Sequence, residues 1–418
     1  MNIVFVTNEL ALFNNSSGGA ASFTSNMARI FAEQGHRVSI VLASTKEMHV
    51  ELQKDIDIIS LYVPMKKWTE MDKLSKVLCR MCKEDKDIVR RMFMSLYKAR
   101  QIREAVRCIN RKNNVDIILY CSNRALNLLS PKGIPYIVRI SGFINICEGG
   151  ANTPDGSVKY ENNPLSIKDK LEKYAIKKAK YVVAPSYLLA GIAKENLGLD
   201  VTVIESPFVL KTSEWDYSVF SGIGLNEKKY IIHYGNMRYL KGSHIVAKIA
   251  KRLLQAYPDL YLVLAGKNGN IVDEDGNKIT PYELVRKNAG EYADRVIYAG
   301  RLVREQLYPF IEKAELCLLP SRIENLSNAC IEAMAMGKIV VATNGASYEQ
   351  LIDDRISGFL CERDNADSYL KAIYEALNMK TEEKEKMCSE AKKVTRRLEP
   401  QKIYQQYLKF FERVIREW

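Results

Sequence analysis

The stretch Leu316–Ala342 reads LCLLPSRIENLSNACIEAMAMGKIVVA and contains two short apolar runs around a polar turn and a helix-like segment. The runs, Leu316–Leu319 and Ile339–Ala342, have the length and composition of buried strands. A strand–helix–strand unit of this kind predicts two parallel strands with the helix packed on one face of their sheet. Glu324 lies in the turn and Glu332 in the helix, so two carboxylates flank the start of that helix.

The start of this helix is suited to binding an anion. A helix N-terminus offers unpaired N–H groups and positive dipole character to a phosphate. Glu332, one turn further in, can accept hydrogen bonds from the paired hydroxyls of a ribose, and Glu324 faces whatever is attached beyond the phosphates. The pattern suits a nucleotide-sugar, but two glutamates at this spacing are also common on solvated helices, so both interpretations stay open on spacing alone.

The same alternation of strands and helices continues on both sides of this stretch. In the first half, the predicted strands are Val4–Val6, Val38–Ala43, Asp116–Tyr120, Tyr136–Ile140 and Tyr181–Ala184, with a helix over Ala20–Glu33 after the first of them. In the second half, further strands are predicted over Lys229–Tyr234, Leu260–Ala265 and Arg295–Ala299. Such β–α alternation predicts parallel sheets that are covered on both faces.

The length of 418 residues is too great for one ordinary core and predicts two domains. The polar, strand-poor stretch 210–228 is the natural linker between them. We therefore predict an α/β protein with an N-terminal domain over residues 1–209 and a C-terminal domain over residues 229–400.

Composition narrows the class of protein. An apolar content of 47% and a charged content of 27% are ordinary for a globular protein, and no apolar run is long enough to cross a bilayer. The start, MNIVFVTNEL, has no basic region before its apolar run and predicts a first strand rather than a signal peptide. Nine cysteines without regular spacing favour a reducing compartment. These features predict a cytoplasmic protein, in which the isolated pair Cys79 and Cys82 has no metal or redox role.

Positive charge is concentrated in one segment. The net charge is +12, and residues 64–112 hold 15 Lys and Arg against 6 Asp and Glu. Apolar residues recur there at helical spacing, and basic amphipathic helices of this kind are typical of contact with an anionic membrane surface. The alternative is a solvated helical pair whose apolar stripe packs on its own domain. No zinc-finger, RRM-like or helix-turn-helix pattern accompanies the charge, so we predict no nucleic-acid partner.

Three loops follow predicted strands, where ligands sit in open α/β sheets. Gly18 and Gly19 lie in the loop after the first strand, and a glycine pair lets the backbone approach a phosphate closely. The stretch Gly235–Gly242 reads GNMRYLKG, is predicted to be the loop after the first strand of the second domain, and carries Arg238 and Lys241. Cations at this position can neutralise a diphosphate leaving group as its charge develops. No GxGxxG fingerprint and no P-loop accompany these loops.

Several motifs follow one another in a fixed order along the chain: Gly18-Gly19, Gly35-His36, Lys241-Gly242, the spacing of Glu324 and Glu332, Ala333–Gly337, and Glu349–Gly358. With this pattern the chain resembles, from Met1 to Trp418, the retaining glycosyltransferases of family 4. The resemblance implies the GT-B architecture, with two Rossmann-like domains facing across a cleft and a last helix, here 401–418, that crosses back to the first domain. In that family the second domain binds the nucleotide-sugar, the first binds the acceptor, and no metal or other cofactor is needed. The strings Asp55-Ile-Asp57, Asp85-Lys-Asp87 and Asp273-Glu-Asp275 are accordingly interpreted as surface charge.

The resemblance also implies a role for each matching residue. Glu332 binds the ribose hydroxyls, Glu324 contacts the donor sugar, and Lys241, with Arg238, stabilises the leaving diphosphate. The remaining contacts with the donor are assigned to the backbone of Asn325, Leu326 and Ser327, to Gly18 and Gly19, and to Leu302 beside the base.

Two single positions depart from the family pattern, and so does the segment Asn325-Leu326-Ser327, which stands where the family has Gly-Phe-Gly after the first glutamate. The family commonly has an arginine directly after the glycine at Gly235, where this chain has Asn236. Many members also have a histidine near the donor sugar at the position of Ser141, and the acceptor side here is Arg139 with Ser141. A serine cannot supply a titratable imidazole.

The resulting prediction is a metal-independent, retaining glycosyltransferase of cell-surface polysaccharide biosynthesis. Its donor is a UDP- or GDP-type nucleotide-sugar, its acceptor is a hydroxyl of a saccharide or lipid-linked saccharide, and residues 66–112 contact the inner face of an anionic membrane. Two alternatives stay open. One is a nucleotide-sugar epimerase of the same fold, and the other is a catalytically weak glycosyltransferase-like partner subunit.

Overall fold

The computed structural model describes residues 1–10, 19–43, 56–83, 85–142, 166–210 and 215–418. These residues form two compact units. The first unit contains the described residues up to position 207 together with Pro400–Trp418, and the second contains those of Phe208–Glu399.

The first unit is built on a parallel sheet of seven strands. The strands are β1 (Asn2–Thr7), β2 (Arg37–Ala43), β3 (Ile56–Leu61), β4 (Ile117–Cys121), β5 (Tyr136–Arg139), β6 (Tyr181–Ala184) and β7 (Thr202–Val203). The helices between them are α1 (Gly19–Glu33), α2 (Met65–Cys82), α3 (Lys86–Asn113), α4 (Ile167–Lys177) and α5 (Tyr187–Leu197). The order across the sheet is β3-β2-β1-β4-β5-β6-β7, which is a doubly wound, Rossmann-like arrangement.

The second unit repeats this arrangement with a six-stranded sheet and a small hairpin. Its strands are β8 (Lys229–Met237), β9 (Leu260–Asn268), β10 (Ile271–Val272), β11 (Lys278–Ile279), β12 (Val296–Gly300), β13 (Leu316–Leu319), β14 (Ile339–Thr343) and β15 (Phe359–Cys361). Its helices are α6 (Ser218–Gly222), α7 (Ser243–Ala256), α8 (Pro281–Ala289), α9 (Arg304–Lys313), α10 (Asn328–Ala335), α11 (Ala366–Asn378) and α12 (Thr381–Thr395). The sheet order β12-β9-β8-β13-β14-β15 places the reversal of strand order between β8 and β13.

Helices cover both faces of the second sheet, which explains its continuous apolar strands. Ile231 of β8 belongs to the cluster on one face, with α7 and α11, and the next residue, Ile232, belongs to the cluster on the other. Because successive side chains of a strand point to opposite faces, a strand covered on both sides needs apolar residues at every position.

The last helix, α13 (Pro400–Glu417), belongs to the first unit. Its buried face includes Tyr407 and Phe411, and the Phe411 ring stacks on that of Phe31 of α1 with centroids 5.3 Å apart. The Tyr404 hydroxyl hydrogen-bonds the imidazole Nε2 of His36 at 2.8 Å. The predicted return of the C-terminal segment to the first domain is therefore confirmed.

The predicted strands are confirmed, with ends that shift by a few residues. The predicted loop Gly235–Gly242 is wrong over its first three residues, because β8 continues through Met237 in register with β9. The edge strand β3 was not predicted; its exposed Asp57 interrupts the apolar run. The predicted linker 210–228 contains the short helix α6. Within the described ranges, no helix is long and apolar enough to cross a membrane.

Candidate functional site

The candidate site lies beyond the carboxyl ends of β8 and β13, where the strand order of the second sheet reverses. A turn at Arg238–Gly242 follows β8, and a loop at Pro320–Ser327 follows β13. The two segments meet at Gly242, which has φ +76° and leaves no room for a side chain, since a Cβ would lie 1.9 Å from the carbonyl oxygen of Pro320. The amide of Arg322 also donates to the Leu240 carbonyl at 2.9 Å. Only a glycine permits this approach.

This close approach brings Lys241 and Glu324 together. The Lys241 ammonium Nζ lies 2.5 Å from Glu324 Oε1, and the Ser321 hydroxyl donates to the same oxygen at 2.8 Å. Both charged side chains are partly buried, so their ion pair is screened less by water than one on an open surface. The structure thus places two residues with predicted catalytic roles in direct contact.

The loop that follows Glu324 is fixed by hydrogen bonds from a neighbouring turn. The Glu324 amide donates to the Ala346 carbonyl at 3.1 Å, and the Ser347 hydroxyl donates to the Asn325 carbonyl at 2.5 Å. Ser347 has φ +75°, a left-handed conformation that is uncommon for a serine. The second turn therefore supports the backbone that is predicted to contact the sugar.

Ser327 caps the helix α10 that begins directly after this loop. Its hydroxyl accepts a hydrogen bond from the Cys330 amide at 3.3 Å, which satisfies one of the open donors of the first turn. Leu326 packs its partly buried side chain against the apolar cluster below. The predicted donor residues Asn325, Leu326 and Ser327 therefore form one short segment at the helix start.

Glu332 lies in the second turn of α10 and is buried. Its Oε1 is 3.3 Å from Arg304 Nε and accepts a hydrogen bond of 3.4 Å from the Tyr308 hydroxyl. Burial raises the pKa of the Glu332 carboxyl, and the nearby Arg304 charge opposes that rise. Glu332 therefore has different partners from Glu324, whose carboxylate contacts Lys241 and Ser321.

Leu302 follows β12 and precedes α9, the helix that carries Arg304 and Tyr308. Its side chain is partly buried against the same apolar cluster as Leu326. Leu302, which is predicted to border the nucleotide base, thus lies directly before the helix whose Arg304 and Tyr308 contact the carboxylate of Glu332.

At the end of β8 the backbone is open on one side. Gly235 pairs with Gly266 of β9, and a Cβ on Gly266 would lie 1.9 Å from the Gly235 carbonyl oxygen. The next residue, Asn236, is coupled to Arg238: with its amide turned so that the oxygen faces the guanidinium, that oxygen accepts from Arg238 Nε at 3.1 Å. The position that departs from the family pattern therefore orients the nearest arginine.

A buried cluster behind the loop was missed at the sequence level. Arg322 is almost fully buried, and its Nε lies 2.9 Å from Asp364 Oδ1, which also lies 2.7 Å from His244 Nε2. The pKa of His244 is lowered by burial and the pKa of Asp364 is lowered by its two hydrogen-bond partners against the effect of burial. In the sequence, the only indication of this cluster is that Arg322 lies two residues before Glu324. Asp364 is distant in the chain, and no sequence pattern connects it with Arg322.

In the first unit, Gly18 lies outside the described residues and Gly19 is the first residue of α1. Arg139 ends β5 and is only 2% exposed, with its guanidinium 3.7 Å from the ring centroid of Phe23. It donates to the hydroxyls of Ser141 at 2.9 Å and Ser206 at 2.8 Å. Of the two residues predicted on the acceptor side, Arg139 is therefore buried and holds the other, Ser141, whose side chain is half-buried.

Two of the three Asp-x-Asp strings have local structural partners, and Asp273 is buried, so the interpretation of its string as surface charge is wrong for this residue. Asp85 caps α3 by accepting from the amide of Asp87, and Asp273 accepts from the amides of Asp275 and Asn277 in the hairpin. In the other string, Asp55 lies outside the described residues and Asp57 is exposed. Within the part of the chain that the structure describes, no three His, Cys, Asp or Glu side chains form a group that could hold a metal ion.

Residues 220–394, most of the second unit, match the family described as "Glycosyl transferases group 1". A putative glycosyltransferase, YtcC, of Bacillus subtilis is 26% identical over 42% of this chain and 43% of its own length. The lipopolysaccharide 1,2-N-acetylglucosaminetransferase of Salmonella typhimurium is 25% identical over 47% of this chain and 52% of its own length. The chain thus matches about half the length of these relatives.

Solved structures extend the likeness over both units. Sucrose-phosphate synthase from Thermosynechococcus elongatus has a TM-score of 0.71 at 15% identity, with all of both chains covered. Anabaena Alr3699/HepE in complex with UDP has a TM-score of 0.65 at 15% identity, covering 99% of this chain and all of that one. The fold is therefore the predicted GT-B fold, and the resemblance to glycosyltransferases is confirmed. The narrower assignment to family 4 stays a prediction.

Proposed function

We propose that this protein is a retaining, metal-independent glycosyltransferase that moves a sugar from a UDP- or GDP-type nucleotide-sugar to a hydroxyl of a saccharide or lipid-linked acceptor. The observation that carries the proposal is the contact of Lys241 with Glu324 beside the start of α10, with the buried carboxylate of Glu332 in the next turn of that helix. The family match of the second unit and the UDP complex of HepE support a nucleotide-sugar donor.

Each charged residue has a separate task in this proposal. Glu332 accepts hydrogen bonds from the ribose hydroxyls. Glu324 holds the donor sugar, and Lys241, with Arg238, stabilises the diphosphate as its negative charge grows. Lys241 and Glu324 neutralise each other before substrate binds, and the phosphate and the sugar hydroxyls then take over as their partners. Positioned cations of this kind act most strongly in a site with little water.

Retention needs no nucleophile from the protein in this scheme. The leaving phosphate oxygen takes the proton of the acceptor hydroxyl on the face from which the new bond forms. Both histidines near the site are unsuited to act as bases, since His233 and His244 are buried, and burial lowers the pKa of His233 to about 4. This favours transfer over an epimerase mechanism, which requires acid and base groups around the sugar.

We place the reaction at the inner face of the cell membrane, in cell-surface polysaccharide synthesis. The lipopolysaccharide transferase of Salmonella supports this setting. Within the basic segment 66–112, α2 presents exposed apolar side chains: Leu74 is 51% exposed, Val77 63% and Met81 74%. By contrast, α3 buries most of its apolar face. The exposed apolar flank of α2, next to lysines, is therefore the part proposed to contact anionic lipid.

Liposome binding tests the membrane contact. Lys86 and Arg90 form ion pairs with Asp72, so removing their charges would disturb the helix pair itself. The better variant replaces the exposed Lys66, Lys73 and Arg80 by glutamine, which should weaken binding to anionic liposomes. Unchanged binding would rule out this contact.

Substitution of the two glutamates tests the donor site. Glu332→Ala should weaken binding of the nucleotide with or without a sugar attached. Glu324→Ala should leave binding of the free nucleotide intact and reduce transfer. Calorimetric titration with UDP and GDP, followed by slow donor hydrolysis with a panel of nucleotide-sugars, measures both. If both variants bind and turn over normally, the assignment fails.

The same panel separates the two alternatives. Conversion of a donor to its epimer without release of nucleotide would identify an epimerase. Binding without hydrolysis or transfer would indicate a partner subunit, for which the departures at Asn236 and Ser141 are the sequence basis.

A further inference from the structure

A groove of about 630 Å³ lies in the first unit, beside the edge strand of its sheet. This volume is in the range of small-molecule sites, roughly 300–1,000 Å³. Its apolar lining comes from Ile59 and Leu61 of β3 and from Tyr97, Ala105 and Cys108 of α3. The other lining residues are polar: Lys67 of α2 and Arg100, Gln101 and Glu104 of α3.

The charges around the groove favour an anion. Glu104 is paired with Arg107 at 3.3 Å and Lys67 with Glu70 at 2.5 Å, so these two lining charges already have partners. Arg100 is exposed and, within the described part of the chain, forms no ion pair. It therefore leaves a net positive charge beside an apolar floor.

Lys67, which lines the groove, lies on the same side of α2 as two residues of its exposed apolar flank. Lys67, Leu74 and Met81 are spaced seven residues apart, so they lie along one side of the helix with a drift of only about 20° per step. A ligand at Lys67 is therefore in line with the surface that is proposed to contact lipid. This alignment relates the groove to the proposed membrane contact.

We infer that the groove binds an anionic lipid, with its hydrocarbon chain along β3 and α3 and its phosphate at Arg100. The apolar lining removes the hydrocarbon chain from water, and a guanidinium is the side-chain group best suited to bind a phosphate. The inference rests on the proposed function in one respect, because the proposed function includes a contact with an anionic membrane, which is the source of the lipid. Binding itself can be measured without any sugar transfer.

Cys108 provides a direct measurement, because it is an exposed free thiol inside the groove. The probe is a monoacyl glycerol phosphate, used below the concentration at which it forms micelles. Mass spectrometry follows alkylation of Cys108, with the half-buried Cys388 of the second unit as internal control. The probe should slow alkylation of Cys108 by about tenfold or more and leave Cys388 unchanged. Equal protection by glycerol phosphate, which has no chain, would overturn the inference.

Variants separate the two parts of the site. Ala105→Trp should fill the groove and abolish protection, and Arg100→Ala should weaken it by about tenfold. Arg111→Ala is the matched control, since Arg111 is exposed on the same helix and does not line the groove. The inference fails if Arg100→Ala and Arg111→Ala behave alike, or if uncharged monoacyl glycerol protects as well.

Two other occupants are distinguishable outcomes. Protection of Cys108 that rises with protein concentration in the absence of probe would indicate a second copy and contradict a lipid site. Protection by extended peptides, which could pair with the edge strand β3, would do the same. Donor hydrolysis by Ala105→Trp should equal that of the unsubstituted protein, so loss of lipid binding and failure of the proposed transferase activity give different results.

Discussion

Replacing Gly242 by alanine tests whether the close approach of two segments builds the donor site. At φ +76° a Cβ costs about 1–2 kcal/mol. It would also lie 1.9 Å from the Pro320 oxygen, whereas such contacts are essentially never shorter than 3.0 Å, so the segments must separate by about 1 Å. Overpacking of this kind costs about 1–3 kcal/mol.

The combined loss of stability should therefore be about 2–5 kcal/mol, which corresponds to a fall in Tm of roughly 4–20 °C for a unit of this size. The effect on activity should be larger. A misplacement of about 1 Å can reduce a rate by about a hundredfold, and here it separates Lys241 from Glu324. Calorimetry for stability and donor hydrolysis for activity measure the two effects.

Gly224 supplies the matched control, since it has φ +73° and nothing within 4 Å of an added Cβ. Gly224→Ala should lose only the conformational part, about 1–2 kcal/mol, and keep its hydrolysis rate. If Gly242→Ala resembles Gly224→Ala in both stability and hydrolysis, the contact with Pro320 does not position the charged pair and the reasoning is refuted.

Two further predictions concern buried charge. Burial lowers the pKa of His233 to about 4, so between pH 6.5 and 4 the unfolded chain binds a proton that the native protein does not. Stability should fall by up to about 3 kcal/mol as the pH drops through this window, and urea unfolding of His233→Gln should lack that component. Asp364→Asn, which keeps a residue suited to the left-handed φ of +59° at this position, leaves the buried guanidinium of Arg322 without its carboxylate and should cost about 3–5 kcal/mol in the same assay. Asp367→Asn removes the charge of an exposed pair with Arg252, which water screens, and should cost much less; equal losses in the two variants would contradict a structural role for Asp364.

The sequence was most informative where structure depends on local pattern. Continuous apolar runs such as Leu316–Leu319 identified central strands because both faces of the sheet are covered. The edge strand β3 escaped notice because only part of it is buried, so charged Asp57 is tolerated within it. The end of β8 was misjudged because Gly235 and Asn236, which usually favour turns, are kept extended by pairing with β9.

The candidate site was predictable to the extent that its parts are close in the chain. Glu324, Ser327 and Glu332 belong to one turn and one helix, so their proximity follows from local geometry. The partners of those residues come from elsewhere, as Arg304 does for Glu332 and Asp364 for Arg322. Such long-range contacts depend on packing of the whole unit, which no short pattern encodes.

The position of α13 has a consequence for how the protein is made. The first unit needs residues 400–418 to complete its core, yet a ribosome synthesises the whole second unit before them. At about 5–20 residues per second, that delay is on the order of 10–40 s. The second unit can close on itself as it emerges, whereas the first must wait with the apolar surface around Phe31 uncovered. Chaperone demand during translation should therefore be concentrated on the half of the protein that is made first.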